Sequence, residues 1–265
     1  MKNIQTLVYS LVVLLMISCS EYSELLKSTD YDVKFEAAKE YYEEKEYFKA
    51  ETLLKELLTV YKGTKKAEQI YYYYAYCQFG LNDYDFAAFH FKNFVKNFSK
   101  SERTEEMHYM IPVCYSKLSP DPSLDQSHTQ KAIEEFQLFL DKYPNSERKE
   151  EANKEIDLLR DKLEVKAFEL AYLYYKVEDY KAAIIALKNV VKEYPDVGKA
   201  EEIRFYIVES SYLLAKMSVE SKKVERYRNT LEEINTFEYK HKDSDYQKQV
   251  DNYRKLSKKA LSLQD

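Results

Sequence analysis

Glycine, proline and histidine are scarce in this chain of 265 residues, and tryptophan is absent. With three glycines and five prolines, few positions can form hairpins or tight turns, so the sequence predicts a mostly helical protein. The glycines stand too far apart to build a phosphate-binding loop or a dinucleotide fingerprint. The four histidines, at 90, 108, 128 and 241, form no pair at metal-ligand spacing. We therefore expect neither a cofactor nor a metal site.

Charge of one sign does not dominate either. The chain has 41 Lys and Arg against 46 Asp and Glu, spread without long blocks, which argues against a nucleic-acid partner. Carboxylates are frequent, but lysines follow them at i+3 and i+4, as on solvated helix faces. A catalytic cysteine would need a histidine brought to it by the fold. His108 stands one repeat helix from Cys77, and we interpret it as a half-buried packing residue, so we predict no enzyme.

The N-terminus contains the one long apolar run. It extends from Leu7 to Ile17 after a single lysine, far short of the roughly 20 residues needed to span a bilayer. The following segment, Met16 to Cys19, resembles a bacterial lipobox, with Met in place of the usual Leu. We predict a lipoprotein signal peptide over 1–18, lipidation of Cys19 and a tether over 19–30, which would anchor the chain without spanning the membrane. An ordinary signal peptide cleaved near a chance cysteine is the alternative.

Only two further cysteines are present, Cys77 and Cys114. In an exported protein they could form a disulfide, although two cysteines make no disulfide framework. Their separation of 37 residues matches a repeat period described next. We interpret them as small apolar core residues at equivalent positions, and the sequence alone leaves open whether they are bonded.

Four segments share an aromatic residue, a short turn and a charged helix start. They are YKGTKKAEQI (61–70), FSKSERTEEM (98–107), YPNSERKEEA (143–152) and YPDVGKAEEI (194–203), at spacings of 37, 45 and 51 residues. Thr64, Ser101 and Ser146 are predicted N-caps. Helical units at this period are typical of a solenoid of stacked hairpins.

Small and large residues alternate within the units in the manner of tetratricopeptide repeats. Twelve residues before each turn stands an alanine, and four residues later a larger apolar residue: Ala50, Ala87, Ala132 and Ala183, with Leu54, Phe91, Phe136 and Leu187. Further upstream, Ala37-Ala38 with Tyr41, Tyr74-Ala75 with Gln78, and Leu170-Ala171 with Tyr174 are the predicted packing positions. A degenerate fifth unit over about 199–242 packs through Thr230, Ile234 and Phe237, and a helix over 244–263 caps the array. We expect an all-α, right-handed superhelix of about five helix pairs.

Two features interrupt the repeat. Pro112 falls inside a predicted helix and should kink it, and SPDPSLDQSH (119–128) is inserted between the helices of repeat three. Residues 147–176 contain neither Gly nor Pro, so they predict one long helix, or two nearly continuous ones. We expect this segment to divide the array into repeats one to three (31–146) and a C-terminal half (147–265).

Tyrosines are concentrated in QIYYYYAYCQFG (69–80). Rings three or four residues apart share one side of a helix, so Tyr71, Tyr74, Ala75 and Gln78 form the packing stripe. Tyr72, Tyr76 and Phe79 form another, which we expect to face the inner wall of the superhelix. Together with the corresponding rings of repeats one and three, they predict a peptide-binding groove. Its partner-binding residues would be Phe35, Tyr42, Tyr72, Tyr76 and Tyr109, unless these rings merely cover a thin core.

Several longer segments carry a family resemblance. The most specific are LKSTDY (26–31), YYYYAY (71–76), SLDQ (123–126), KAIEEFQLFLDKYPNSER (131–148) and KAFELAYLYYKVEDYKAAI (166–184). With the lipobox and the repeats, they are similar to the BamD family of the outer-membrane β-barrel assembly machinery, of the Bacteroidota type. The likeness extends over essentially the whole chain.

The resemblance implies a non-enzymatic scaffold on the periplasmic face of the outer membrane, lipidated at Cys19. In that family the C-terminal repeats hold the last periplasmic domain of BamA beside other assembly lipoproteins, and the N-terminal repeats receive C-terminal strand signals of unfolded barrel proteins. The alternative is a periplasmic tetratricopeptide adaptor for another envelope assembly. A glycan-binding lipoprotein would call for tryptophan platforms, and a peptidoglycan hydrolase for a carboxylate or metal site that the sequence does not locate.

Overall fold

The computed structural model describes residues 21–195 and 198–263, and within them every regular element is an α-helix. Cys19 and the predicted signal peptide lie outside the described residues. Residues 21–27 are helical, and eleven longer helices follow. These are α1 (Tyr31–Glu43), α2 (Tyr47–Val60), α3 (Lys66–Gly80), α4 (Tyr84–Asn97), α5 (Thr104–Leu118), α6 (Ser127–Lys142), α7 (Lys149–Lys176), α8 (Tyr180–Glu193), α9 (Ala200–Lys216), α10 (Glu220–Lys240) and α11 (Gln247–Leu261).

Three hairpins turn through the same backbone conformation. Lys45, Asn82 and Glu178 occupy equivalent positions and have φ values of 63°, 61° and 63°, in the left-handed region that few residues other than glycine adopt. In two of these turns the next residue caps the second helix. The carboxylate of Asp83 accepts from the backbone N–H of Phe86, and that of Asp179 from Ala182.

The predicted packing positions of the second helices are confirmed. The four alanines and the four larger residues that follow them are fully buried, so that each pair of helices approaches closely at an alanine. In the degenerate fifth unit, Thr230, Ile234 and Phe237 are buried in α10 as expected, and α11 follows as the predicted last helix. The all-α repeat fold is thus confirmed over the described residues.

Gly80 of α3 lies directly against Tyr47 of α2, which belongs to the preceding hairpin. A Cβ atom built on Gly80 would lie 2.5 Å from Cδ2 and Cε2 of Tyr47, well inside van der Waals contact. The end of α3 therefore accepts only glycine while the Tyr47 ring stays in place.

Serines tie successive units together at the starts of their first helices. Ser101 Oγ donates to Glu68 Oε1 at 2.6 Å and Ser146 Oγ to Glu105 Oε1 at 2.5 Å. Each serine also accepts a backbone N–H two residues later. At the corresponding place in α7, Glu164 accepts from the backbone N–H groups of Gly198 and Lys199 instead. Glu201 of α9 likewise accepts from Ser244 Oγ in the turn before α11, so a glutamate in one first helix binds the turn before a later helix at four junctions.

The prediction of Thr64, Ser101 and Ser146 as N-caps was wrong, because the residues directly before α3, α5 and α7 are Lys65, Arg103 and Arg148. Thr64 Oγ1 donates to the carbonyl of Tyr61, and α3 begins after Lys65, which makes no side-chain cap. Ser101 bonds within the turn, two residues before the N-cap residue Arg103. These hydroxyls stabilise the turn that precedes the helix. They do not cap the helix itself, because further turn residues stand between each hydroxyl and the first helical residue.

The long helix predicted over 147–176 is confirmed as α7, and Pro112 lies inside the continuous helix α5. The chain forms two compact units: residues up to 120 with Gln126–Leu159, and Asp121–Asp125 with Arg160–Asp265. The division falls within α7, whereas we expected the halves to meet ahead of it. Five residues of the insertion belong to the second unit, where Lys166 Nζ donates to the carbonyl of Leu124.

Each unit has its own core. In the first, Leu53, Leu54 and Leu57 of α2 pack with residues of α1 and α3. The helix at 21–27 adds Tyr22 and Leu25 to this cluster, so much of the predicted tether is folded onto the first repeat. In the second unit, one cluster joins α7, α8 and α9, and another joins α9, α10 and α11.

Candidate functional site

Two tyrosines of α3 meet a glutamate of α5 on the predicted inner stripe. The centroids of the Tyr72 and Tyr76 rings lie 4.8 Å apart, and both phenols donate to Glu106 Oε1, at 3.2 and 2.5 Å. One carboxylate oxygen thus fixes both rings. We call Tyr72, Tyr76 and Glu106 the tyrosine–glutamate cluster.

A cation and further rings surround this cluster. The guanidinium of Arg103 lies 4.4 Å from the centroid of Tyr72, a cation–π contact. Tyr73 packs edge-on against Tyr72 at 5.5 Å and against Tyr42 at 5.1 Å. Tyr42, Tyr72 and Tyr76 are half-buried, so the site offers partly exposed ring faces beside a positive charge.

Burial keeps these phenols neutral. Desolvation, followed by the charge and hydrogen bond of Glu106, raises the pKa of Tyr72 to about 12. Desolvation and the same carboxylate raise the pKa of Tyr76 further still. Both hydroxyls therefore remain protonated hydrogen-bond donors at any physiological pH.

Two predicted contact residues are not accessible. Phe35 is 1% exposed and Tyr109 is 3% exposed, so in this structure neither ring can touch a partner, and that part of the groove prediction needs correction. Phe35 packs in the core of the first repeat, and Tyr109 packs on Phe136 and Phe139 of α6. Of the five predicted residues, Tyr42, Tyr72 and Tyr76 remain available.

One ring in each of four first helices has a cation over it. The cation stands at the start of the following first helix and lies 4.4–5.0 Å from the centroid of the ring. The pairs are Lys66 with Phe35, Arg103 with Tyr72, Arg148 with Tyr109, and Lys199 with Phe168. The stripe is therefore a repeat-to-repeat contact as well as a surface.

The second unit contains a tyrosine cluster that sequence reasoning missed. Tyr175 Oη donates to Glu209 Oε2 at 2.9 Å, and Tyr253 Oη donates to Glu209 Oε1 at 2.6 Å. Tyr172 and Tyr206 lie beside them, with centroids 4.7 Å apart. The signal was present, because Tyr172 and Tyr175 follow Phe168 at the spacing by which Tyr76 and Phe79 follow Tyr72.

Cys77, Cys114 and His108 are packed against other side chains. Cys77 and Cys114 are buried free thiols, and burial raises the pKa of each to about 12. His108 contacts the rings of Phe139 and Tyr143. Among residues 21–195 and 198–263, no group of His, Cys, Asp and Glu side chains is placed to hold a metal ion. None of the described helices has the length and apolar character needed to cross a bilayer.

Comparison with known proteins identifies relatives. The model of the YfiO family, outer membrane lipoproteins, matches residues 28–229. A Caulobacter vibrioides protein described as outer membrane protein assembly factor BamD is 26% identical over 148 residues, 56% of this chain but only 48% of that protein. A Rickettsia prowazekii protein with the same description is 25% identical over 181 residues, 68% of this chain and 72% of that protein. The chain thus spans about half the length of the Caulobacter relative.

Among solved structures, the TPR domain of P58(IPK) aligns with a TM-score of 0.42 and 14% identity, covering 92% of this chain and 68% of that one. At this score the likeness adds nothing to the fold, which rests on the helices and their packing.

Proposed function

The chain belongs to the YfiO family of outer membrane lipoproteins, and from this we propose that it is a lipid-anchored, non-enzymatic scaffold in the assembly of outer-membrane β-barrel proteins. The observation that carries the proposal is the family match over residues 28–229, together with relatives described as assembly factors. Lipidation at Cys19 and placement on the periplasmic face of the outer membrane are part of the proposal.

The tyrosine–glutamate cluster is the proposed receptor for unfolded barrel proteins. Its half-buried rings offer apolar faces to an aromatic residue, in the offset or edge-on contacts that such pairs prefer. Arg103, held over Tyr72, supplies a positive charge of the kind that pairs with a C-terminal carboxylate. A strand that ends in an aromatic residue with a free carboxylate therefore suits this site.

The second unit is the proposed holder of folded assembly partners, among them the periplasmic domain of BamA. Its support is the family membership and the second ring cluster around Glu209. Tetratricopeptide-like arrays serve many partners, so fold alone would not favour this role over another envelope adaptor.

Photo-crosslinking from position 72 in the living bacterium tests the receptor role. A benzophenone amino acid at position 72 should give adducts with unfolded barrel proteins, and the same amino acid at the exposed Phe48 of α2 serves as the control. We expect Arg103→Ala to lower the adducts from position 72 while the helical circular dichroism stays unchanged.

Recovery of another class of envelope protein in place of barrel proteins would favour a different assembly. Equal adducts from positions 48 and 72 would refute the receptor site.

A further inference from the structure

The first helices of the repeats carry one face that meets the preceding hairpin. In α3 this upstream face consists of Ile70, Tyr74, Cys77 and Gln78. The equivalent sets are Met107, Ile111, Cys114 and Tyr115 in α5, and Ile203, Ile207, Ser210 and Ser211 in α9. All twelve side chains are at most 6% exposed.

The second helix of the preceding hairpin closes this face. Against α3 it is α2, whose Leu53, Leu54 and Leu57 belong to one core cluster with Ile70, Tyr74 and Cys77. Gln78 Nε2 donates to Glu51 Oε1 on the same helix, at 3.3 Å. The closing element is thus an amphipathic helix with an apolar stripe and a carboxylate.

The second half of α7 has the same face but leaves it open. Its residues are Lys166, Leu170, Leu173 and Tyr174, and the last three are 56%, 54% and 46% exposed. Val177, one turn on, is 63% exposed. On the other side of the same helix, Phe168 and Ala171 are buried in the core with α8 and α9, so the hairpin itself is normally packed.

The open face is more apolar than the outer face of a terminal repeat. Arrays end in units with a polar outer face, and isolated exposed leucines are ordinary. Here four apolar residues follow the i, i+3, i+4, i+7 spacing of an amphipathic stripe. The first repeat shows the contrast, because α1 has Glu40 at the position of Leu173 and receives Tyr22 and Leu25 from the helix at 21–27.

We propose that the face formed by Leu170, Leu173, Tyr174 and Val177 binds an amphipathic α-helix of a partner protein, which takes the place of the missing second helix. The helix that closes α3 serves as the template for the partner's chemistry: apolar side chains at the spacing of Leu53, Leu54 and Leu57, and a carboxylate like Glu51. That carboxylate would accept from Tyr174 Oη. The positive charge of Lys166, whose Nζ also donates to the carbonyl of Leu124, lies on the same face. The inference rests on the proposed scaffold role and deepens it by naming the docking surface and the kind of partner.

Photo-crosslinking in the full-length protein in its own bacterium tests the docking surface. A benzophenone amino acid replaces Tyr174, and the matched control replaces Tyr239, an 81% exposed tyrosine of α10 in the same unit. We expect adducts from position 174 in about tenfold excess over position 239. Sequencing should place them in a helical segment of another protein, with apolar residues at i, i+1 and i+4 and an acidic residue among them.

The double variant Leu170→Ser, Leu173→Ser provides the second measurement. Serine is the replacement because α9 has a serine at the position equivalent to Leu173. We expect adducts from position 174 to fall about tenfold. The melting temperature should move by no more than about 2 °C, because both side chains are exposed.

Three results would overturn the inference: adducts within a second copy or the same chain, equal yields from 174 and 239, or a yield that the serines leave unchanged. Adducts from position 72 are scored in the same cells. If position 72 gives adducts and position 174 gives none, the docking surface alone is refuted. If position 174 gives adducts and position 72 gives none, only the receptor role is refuted.

Discussion

Lys34 in α1 is completely buried, which a lysine tolerates only when its ammonium is paired. Its Nζ lies 2.7 Å from Glu56 Oε2 of α2 and 3.3 Å from the carbonyl oxygen of Leu26. The ring centroid of Tyr31 is 5.7 Å away. One side chain therefore joins three segments and holds the helix at 21–27 on the first repeat.

Lys34→Met keeps the length of the buried stem and removes the charge. The carbonyl of Leu26 loses its partner, so we expect a loss of about 1–2 kcal/mol in the free energy of unfolding. Amide hydrogens of residues 21–30 should exchange faster than in the parent, as measured by mass spectrometry. Lys39→Met, which removes an ammonium that contacts Glu36 and the Phe35 ring on the same helix, should change neither quantity. Unaltered exchange in Lys34→Met would mean that other contacts hold this segment.

His90 predicts how stability depends on pH. It lies among Tyr74, Phe86 and Phe89 with Nδ1 2.9 Å from Tyr71 Oη, and burial lowers its pKa to about 4, opposed weakly by Asp83. The unfolded chain, with a histidine pKa near 6.5, binds the proton first as the pH falls. The stabilisation is therefore fully present above about pH 6.5 and is lost as the pH falls toward 4.

Urea unfolding at pH 7 and pH 4.5 measures this contribution. Because the ring is partly solvated, we expect His90 to account for about 1–2 kcal/mol of the loss. His90→Gln should reduce the loss by that amount, and the remainder includes His108 and His241, whose pKa values burial also lowers. The same pH dependence in the variant and the parent would contradict this assignment.

At the scale of elements, three hairpin turns share one backbone conformation although a different residue occupies each of them. Lys45, Asn82 and Glu178 share a left-handed φ, and asparagine adopts that region more readily than lysine or glutamate. Only the second repeat has the residue best suited to its turn, which explains why the sequence did not reveal the equivalence of all three.

Exchanging residues between these turns gives a matched pair of variants. We expect Glu178→Asn to raise the free energy of unfolding by about 0.5 kcal/mol, because it relieves an unfavourable conformation. The reverse change, Asn82→Glu, should lower it by a similar amount, as measured in urea with helical circular dichroism. A loss in both variants would show that side-chain contacts outweigh the backbone preference.

The elements themselves were predictable where one residue type repeats at a fixed distance. Alanines twelve residues before each turn located the four close helix contacts, and the absence of Gly and Pro over 147–176 predicted α7. Which side chains of a first helix are buried was less predictable, because their burial depends on the second helix of the preceding hairpin. Leu170 and Tyr174 were expected to pack like Tyr74 and Gln78, and this was wrong since no second helix closes their face.

At the scale of the whole molecule, the packing of neighbouring repeats determines which rings of the stripe are exposed. Phe35 and Tyr109 were placed on the correct stripe, but stacking of the next unit buries them, whereas Tyr72 stays half-exposed under Arg103. The sequence could register these positions at one spacing. It could not rank their exposure, because exposure depends on how the neighbouring unit packs against each ring.

The anchor is tested on the whole molecule as well. Only Ser20 separates Cys19 from the helix at 21–27, so acyl chains on Cys19 would hold the first repeat close to the membrane surface. Each buried methylene contributes about 0.8 kcal/mol, so the parent protein should stay with membranes through a high-salt wash and leave only in detergent. Cys19→Ser should move it to the soluble fraction with unchanged helical circular dichroism, while Cys77→Ser, at a buried core position, should leave it on membranes. Salt-released parent protein would refute the lipid anchor and would leave the repeat fold unaffected.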